Sequence, residues 1–529
     1  MLNFIIGRNN SGKTEKIRAL IAERASENKK CILIVPEQFS FESERSILEK
    51  IGAQKMLNVD ILSFTRLAFV INEQYGKALN KTIDDGTRKV LMSLSLEALS
   101  GKLEYFKRFS SKPALLSNLL TFVTELKQCV VTPDEIAEIS GKTGNKSLGK
   151  KLSELSLIAA SYDALVSRSF FDDENLLTIA ADMISETDFF DGKAVYFDAF
   201  CGFTKQERNC IKSILPKAEN VFISLCTDRD LSREGVSVFE NVNSEFSHLK
   251  ECAAEQNVGV SSPEILNVKE DGRSPELVYL EKYLCGEESE PYKEECDNIV
   301  VCAAGNRADE ADFVACEIKK LLRCNPTLRC RNIAVIERTA GTYDKELSES
   351  FKKYGVPMFE DKRRPIGIQP VMVFVKCLLA LCAEGFSTES FMRLLKTGLT
   401  ALSGDEISEL ENYAFLWNID GSKWRRDFTE NPDGLGFDVT EKSQEKLIRL
   451  NDIRKRSVLP VLAFKKDFEE ADGEKKSRLI YEFLIKNGVT ERLREKIEYL
   501  VSSGDTVLCE EQDTVWATLM DMLGKMASA

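Results

Sequence analysis

A chain of 529 residues has room for several domains with sizeable cores. Its 43% hydrophobic and 30% charged residues are ordinary for a globular protein, and a net charge of −13 excludes a surface that is sticky to nucleic acid everywhere. Any nucleic-acid path must be local, lined by selected basic and aromatic residues. One histidine, His248, excludes His-rich zinc sites and argues against Ser-His-Asp or Cys-His catalysis. No uncharged apolar run approaches the ~18 residues of a membrane span: "VMVFVKCLLALC" is interrupted by Lys376. The start reads as a strand and not as an export signal, so a cytoplasmic location without membrane contact is expected. The fifteen cysteines contain no C-x-x-C pair, and settings such as those of Cys31, Cys226 and Cys377 point to free, buried thiols in a reducing compartment.

The first segment, Leu2 to Ile6, is a short apolar run fit for a buried strand. Gly7 to Thr14 reads GRNNSGKT, the G-x-x-x-x-G-K-[ST] pattern, and Glu15 to Arg24 follows with Ile17, Leu20 and Ile21 on one helical face. Strand, loop and helix in this order turn backbone N–H groups and a helix dipole toward an anion. The loop residues Gly7, Arg8, Asn9, Asn10, Ser11 and Gly12 would cradle ATP phosphates, Lys13 would reach the β/γ-phosphates, and Thr14 would ligate Mg2+. A glycine turn before an ordinary helix is the plainer alternative.

Next come a strand in "KKCILIVPEQ", a helix around Glu42–Lys50, a strand in "MLNVDIL" and a helix from Phe64 to Tyr75. From about Thr82 to Ile184 apolar residues recur at helical spacing, and sheet rhythm returns in "KAVYFDAF" and "NVFISLC". The expected organisation is an α/β domain over 1–80 and 190–258, interrupted by a helical insertion at 81–189. A Pro/Glu/Ser/Gly-rich linker or surface loop is expected at 259–297. A second, partial α/β domain is expected at 298–385, with strands in "NIVVCAA", "NIAVIER" and "VPMFEDK", and a second helical insertion at 386–529.

An ATPase also needs an acidic residue closing a neighbouring strand to hold magnesium, and commonly a second carboxylate to polarise water. Asp198 in "AVYFDAFCGFTKQE" suits the first role. Ala199 stands where the second would be, and alanine cannot orient water. Glu207 falls on the next helix and cannot be assumed to substitute. Gln206 is better placed to sense a γ-phosphate, with a solvent-facing helix glutamine as the alternative. No residue is assigned as catalytic; nucleotide binding is expected, fast hydrolysis is not.

The combination of "GRNNSGKT", "VPEQFSFESER", "ILSFTRLAF", "VYFDAFCGFTKQE" and "IAVIERTAGTYDKELSESFKKYGVPMFEDKRRP" resembles the AddB family throughout the chain and in order. AddB is the second subunit of bacterial AddAB helicase–nucleases, which process double-strand DNA breaks for recombination. The resemblance implies a P-loop NTPase fold, a superfamily 1 helicase-like pair of RecA-type domains each with a helical insertion. It implies ATP and Mg2+ as cofactors, an AddA-type helicase–nuclease subunit as partner, and a 3′-ended single strand scanned for the Chi hot spot. It places Gln38, Ser40, Phe64, Arg66 and Phe69 against that strand, where rings stack on unpaired bases and Arg, Gln and Ser read edges or phosphates. Phe64 and Phe69, five apart on one helix, have core packing as their alternative. Arg338 falls where superfamily 1 helicases place an arginine on the γ-phosphate, or else makes a structural ion pair.

Family members end in a nuclease domain with an iron–sulfur cluster on four cysteines, and neither is evident here. The cluster is expected only in a C-terminal region beyond this sequence, which reads as an N-terminal portion. Glu360–Lys362, "EDK", matches a short nuclease pattern but belongs to the helicase-like stretch. Two other readings stay open: an active superfamily 1 translocase with an unrecognised carboxylate, and a P-loop kinase or nucleotide-dependent scaffold.

Overall fold

The computed structural model describes residues 1–76, 83–109, 112–169, 173–228, 238–268, 272–283, 290–360 and 365–528. The chain divides into two compact units, Met1–Glu317 with Glu337–Ser350 and Ile318–Ile336 with Phe351–Ala529.

The first unit is built on β1 (Leu2–Gly7), β2 (Cys31–Ile34), β3 (Val59–Leu62), β4 (Ala194–Phe197), β5 (Asn220–Cys226) and β6 (Glu264–Ile265). They form one parallel sheet in the order β3-β2-β4-β5-β1-β6. The central strands are nearly unbroken apolar runs because helices cover both faces of such a sheet. Alternation sends Ile5, Leu33 and Tyr196 to one face, against Ile17 and Ile21 of α1 (Lys13–Ser26) and Ile47 of α2 (Ser40–Ile51). The short α3 (Ala53–Met56) leads into β3. Phe4, Ile6, Ile34 and Phe197 go to the other face, which includes Leu67 and Ile71 of α4 (Phe64–Tyr75).

Between β3 and β4 lie α5 (Asp85–Ala98), α6 (Pro113–Gln128), α7 (Pro133–Lys142) and α8 (Lys146–Ser169). Met92, Leu96, Val123, Ile158 and Tyr162 give these helices a core of their own, and α7 lies along α8 through Ser156 Oγ–Pro133 O and Ser140 Oγ–Gly149 O bonds of 2.8 Å each. The next helix, α9 (Asp173–Glu186), departs from the expected boundary. Its Leu176, Ala180 and Ile184 join the core on the sheet, and Asn72 of α4 donates to the Leu176 carbonyl at 3.3 Å. The separately packed insertion therefore ends before α9. α10 (Lys205–Ile214) and α11 (Glu240–Glu255) complete that face.

Two parts of the expected linker or loop form regular elements, while the described 290–297 do not. Leu2 N–H donates to Gly259 O at 2.9 Å and Leu266 N–H to Ile6 O at 2.7 Å, so 259–266 adds the edge strand β6. α12 (Pro275–Tyr283) follows.

The strands expected in 298–304, 333–338 and 356–360 do not form: the described backbone there joins no ladder. Helices α13 (Arg307–Cys324) and α14 (Asp344–Tyr354) form between them. A helix closes its hydrogen bonds locally, whereas a parallel strand needs a neighbour; Val301 is 93% and Ile336 91% exposed. Asp361 and Lys362 of the "EDK" match lie outside the described residues.

From 370 onward the second unit is helical: α15 (Pro370–Ala383), α16 (Thr388–Leu395), α17 (Gly404–Leu416), α18 (Glu441–Glu469), α19 (Gly473–Lys486), α20 (Val489–Ser502) and α21 (Thr506–Ser528). Their shared core holds Leu378, Phe391, Trp424 and Leu484. The apolar "VMVFVKCLLALC" run is α15, a core helix with Lys376 turned outward. Among the described residues no single helix is long and apolar enough to cross a membrane. The thiols divide: Cys31, Cys210, Cys377 and Cys382 are buried, and burial pushes the Cys31 thiol up to about 11. Cys129, Cys201, Cys296, Cys302, Cys316 and Cys324 are exposed, contrary to the expectation of buried cysteines.

Candidate nucleotide and nucleic-acid site

β1 ends at Gly7 and α1 begins at Lys13, so GRNNSGKT turns at the C-terminal edge of the sheet, where open α/β sheets bind ligands. The turn passes through the left-handed region at Asn10 (φ 60°) and at Gly12 (φ 87°), the residue before α1. Lys13 Nζ donates to the carbonyls of Gly7 (2.8 Å) and Arg8 (2.9 Å) and lies 3.5 Å from Ser11 Oγ. Its ammonium is thus held over the loop, where an anion would meet it. A Cβ on Gly7 would lie 2.3 Å from Ser11 Oγ and 2.8 Å from Leu266 O, so the first glycine is required by close approach of β6 and the loop. The Arg8 side chain is engaged elsewhere: Nε lies 3.0 Å from Glu281 Oε1 of α12, and the guanidinium sits 5.6 Å from the Phe239 ring centroid. Asn9 contributes its Oδ1 to the Asn10 N–H at 3.0 Å, and Thr14 is half-buried in the first turn of α1.

Asp198 follows β4, two strands from β1, with β5 between them. It is buried, and Ser224 Oγ on β5 donates to its Oδ1. The next residue, Ala199, is exposed and takes φ +65°, a conformation that disfavours any Cβ. A strained turn of this kind is a feature of functional loops.

Glu207 cannot supply the missing carboxylate. Thr204 N–H donates to its Oε2 at 2.7 Å while Glu207 N–H donates to Thr204 Oγ1 at 3.2 Å, a capping box on α10. Burial raises the Glu207 pKa, partly offset by the Thr204 hydrogen bonds. Gln206 corrects the expectation of a phosphate sensor: it is buried, and its Nε2 donates to Thr178 Oγ1 of α9 at 2.9 Å. The apolar packing of α9 on α10 turned that face inward. Arg338 is exposed at a bend, and the strand it was expected to close is not formed.

The second constellation sits past the ends of β2 and β3. Gln38 is exposed on the turn 37–39 and Ser40 is half-buried at the start of α2. Ser63 caps α4 by accepting from Arg66 N–H at 3.2 Å and itself donates to Glu37 Oε2 at 3.0 Å, tying the turn to the helix. Arg66 and Phe69, three residues apart, are both exposed, Phe69 at 45%. Phe64 corrects the expectation: it is 6% exposed and packs with Phe197, Phe200 and Phe203 at centroid distances of 5.9, 5.5 and 6.1 Å. It is core and cannot meet a base. Two rings escaped the sequence reading, Phe39 and Phe41, the latter 79% exposed. The signal was available: Ser43 and Ile47 mark the buried face of α2, and Phe41 falls two residues off it.

A family model described as "ADDB, N-terminal" matches residues 4–281, just over half of the chain. The chain belongs to the AddB family. The match takes in the GRNNSGKT turn, the 38–69 face, Asp198 and α12 as far as Glu281. Among AddB relatives, the B subunit of the ATP-dependent helicase/deoxyribonuclease of Acetivibrio thermocellus is 30% identical over 98% of this chain and 46% of its own length. The proteins of the same name from Clostridium acetobutylicum and Clostridium novyi are each 29% identical over 99% of this chain and 46% of their own. The chain spans about half the length of the curated AddB relatives it matches.

Proposed function

We propose that this chain is the nucleotide-holding, single-strand-engaging portion of a helicase–nuclease subunit that processes DNA ends for recombinational repair. The observation that carries the reading is the sharing of one sheet edge: the P-loop with Lys13, the buried Asp198, and the exposed 38–69 face all follow C-terminal strand ends. The names of the relatives support both the ATP-dependent chemistry and a companion subunit, for which an AddA-type helicase is the candidate.

ATP would lie along Gly7–Thr14 with its phosphates against Lys13. Mg2+, which supplies charge neutralisation on those phosphates, would be held by the Thr14 hydroxyl and the Asp198 carboxylate. The donor set fits: a hydroxyl and one carboxylate suit a hard cation that keeps phosphate and water ligands. Ala199 stands beside Asp198 and Glu207 is committed to its cap, so neither of these two positions offers a group to activate water, and turnover is slow on this reading. Arg66 pairs a phosphate or a guanine edge, Phe69, Phe39 and Phe41 offer stacking faces, and Gln38 reads a base edge, an arrangement suited to a hot-spot sequence such as Chi.

Fluorescent-nucleotide binding and stopped-flow ATPase assays with single-stranded DNA test this. Tight magnesium-dependent binding without DNA-stimulated turnover is expected. Stimulated turnover that disappears in Asp198→Ala would make the chain a motor instead. Arg66→Ala should weaken oligonucleotide binding about 5- to 10-fold and reduce the salt slope by about 0.7; an unchanged affinity and slope would remove Arg66 from the path.

A further inference from the structure

The helical insertion carries a charged surface that neither the nucleotide nor the single-strand residues use. Two short segments meet there, 102–108 after α5 and 146–151 at the start of α8. Together they hold six cations, Lys102, Lys107, Arg108, Lys146, Lys150 and Lys151, and one carboxylate, Glu104. The whole chain carries −13, so this concentration is local and against the trend.

The two segments are locked together. Glu154 of α8, 6% exposed, accepts the backbone N–H groups of Glu104 (2.8 Å), Tyr105 (2.7 Å) and Phe106 (3.1 Å). Lys150 Nζ donates to Glu104 Oε2 at 2.9 Å, and Lys151 Nζ lies 6.0 Å from the centroid of the exposed Tyr105 ring. A buried carboxylate thus fixes the platform, and the one surface carboxylate is already paired. The placement also works against the helix. α8 has no acidic residue in its first turn and carries Lys146, Lys150 and Lys151 in its first two, where the macrodipole favours anions. These lysines are not there to stabilise α8.

We infer that this face of the insertion binds the phosphate backbone of double-stranded DNA. Fixed cations on a rigid helical frame suit the regular charge of a duplex and read no sequence. A single strand would call for several stacking rings, and Tyr105 is the one aromatic exposed in the two segments, whereas the 38–69 face has three. The inference rests on the proposed function: the duplex ahead of the processed end would lie on the insertion, and the unpaired strand on the sheet edge.

The test is fluorescence anisotropy on the full chain, with a short blunt duplex and an oligothymidine of equal length, over a series of salt concentrations. The variant is Lys102→Glu/Arg108→Glu/Lys146→Glu, three exposed residues outside the Glu154 contacts. A control with the same charge change, Lys442→Glu/Arg494→Glu/Lys496→Glu, lies in the second unit. Circular dichroism melting checks the fold, and the triple alanine variant replaces the reversal if it unfolds. The first variant should lose at least ten-fold in duplex affinity and flatten the log–log salt slope by about 2–3, at roughly 0.9 per phosphate contact. Oligothymidine binding should stay within about two-fold, and the control should keep both. Duplex affinity equal to the unaltered chain's, an equal loss in the control, or a loss confined to oligothymidine would each overturn the inference. Failure of the unaltered chain to bind oligothymidine would sink the proposed function, a different result from failure at the duplex alone.

Discussion

Gly7 has no room for a side chain, because the Ser11 hydroxyl and the Leu266 carbonyl both crowd its Cα. Gly7→Ala should therefore lower stability by about 1–3 kcal/mol, the usual range for overpacking, and weaken nucleotide binding, which urea titration and nucleotide fluorescence would register separately. An alanine variant that matched the parent in both would mean the loop shifts freely. The placement of Lys13 at the start of α1 and of Asp198 just past β4 was legible because a glycine-rich turn between strand and helix and a strand-closing acid are local signals. Gln206 and Phe64 were not. Their side chains are claimed by neighbours far away in sequence, Thr178 for the one and Phe197, Phe200 and Phe203 for the other. A helical wheel shows that a residue faces a partner but not which partner. Phe64→Ala makes a useful control on this point. Emptying that aromatic cluster should cost about 3–5 kcal/mol, so any DNA-binding defect in it should vanish once the folded fraction is corrected for.

At the scale of elements, α12 shows what composition conceals. A Pro-, Glu- and Ser-rich stretch reads as a linker, yet the buried Glu276 accepts the backbone and side-chain N–H groups of Asn298 at 3.1 and 2.6 Å. The Asn298 hydrogen bonds hold its carboxyl down at about 2, against an ordinary value of 4.5. A depressed acid contributes stability that is fully present above the unfolded value and lost as pH falls through the folded one. The attachment of α12 should therefore persist to neutral pH and weaken progressively from about 4.5 down to about 2. Amide exchange in α12, followed against pH, should show that window in the parent and a flat response in Glu276→Gln; a parent profile equally flat would remove Glu276 as the anchor. Strands and helices differed in legibility for the same reason of locality. β1, β2, β4 and β5 were read correctly because their neighbours are within the described sheet. The segments 298–304 and 333–338 are likewise apolar but join no ladder, and Val300, Val301, Val335 and Ile336 face water.

On the scale of the molecule, the two units have separate cores, one around the sheet and one around α15–α21. A single cooperative transition is not expected of such a chain. Scanning calorimetry should resolve a van't Hoff enthalpy well below the calorimetric one, and equality of the two would show the units melting as one. The order of strands has a further consequence, for synthesis on the ribosome. β2 can pair with β3 almost at once, but β1 pairs only with β5 and β6, whose residues come more than two hundred positions later. At ordinary translation rates the strand that leads into the GRNNSGKT turn waits on the order of tens of seconds, with Leu2, Phe4 and Ile6 uncovered. The helical insertion, with its own core, can fold during that delay. The GRNNSGKT turn is therefore among the first sequences made and among the last surfaces finished, and a nascent chain of this kind has most to gain from a chaperone that shields its opening residues.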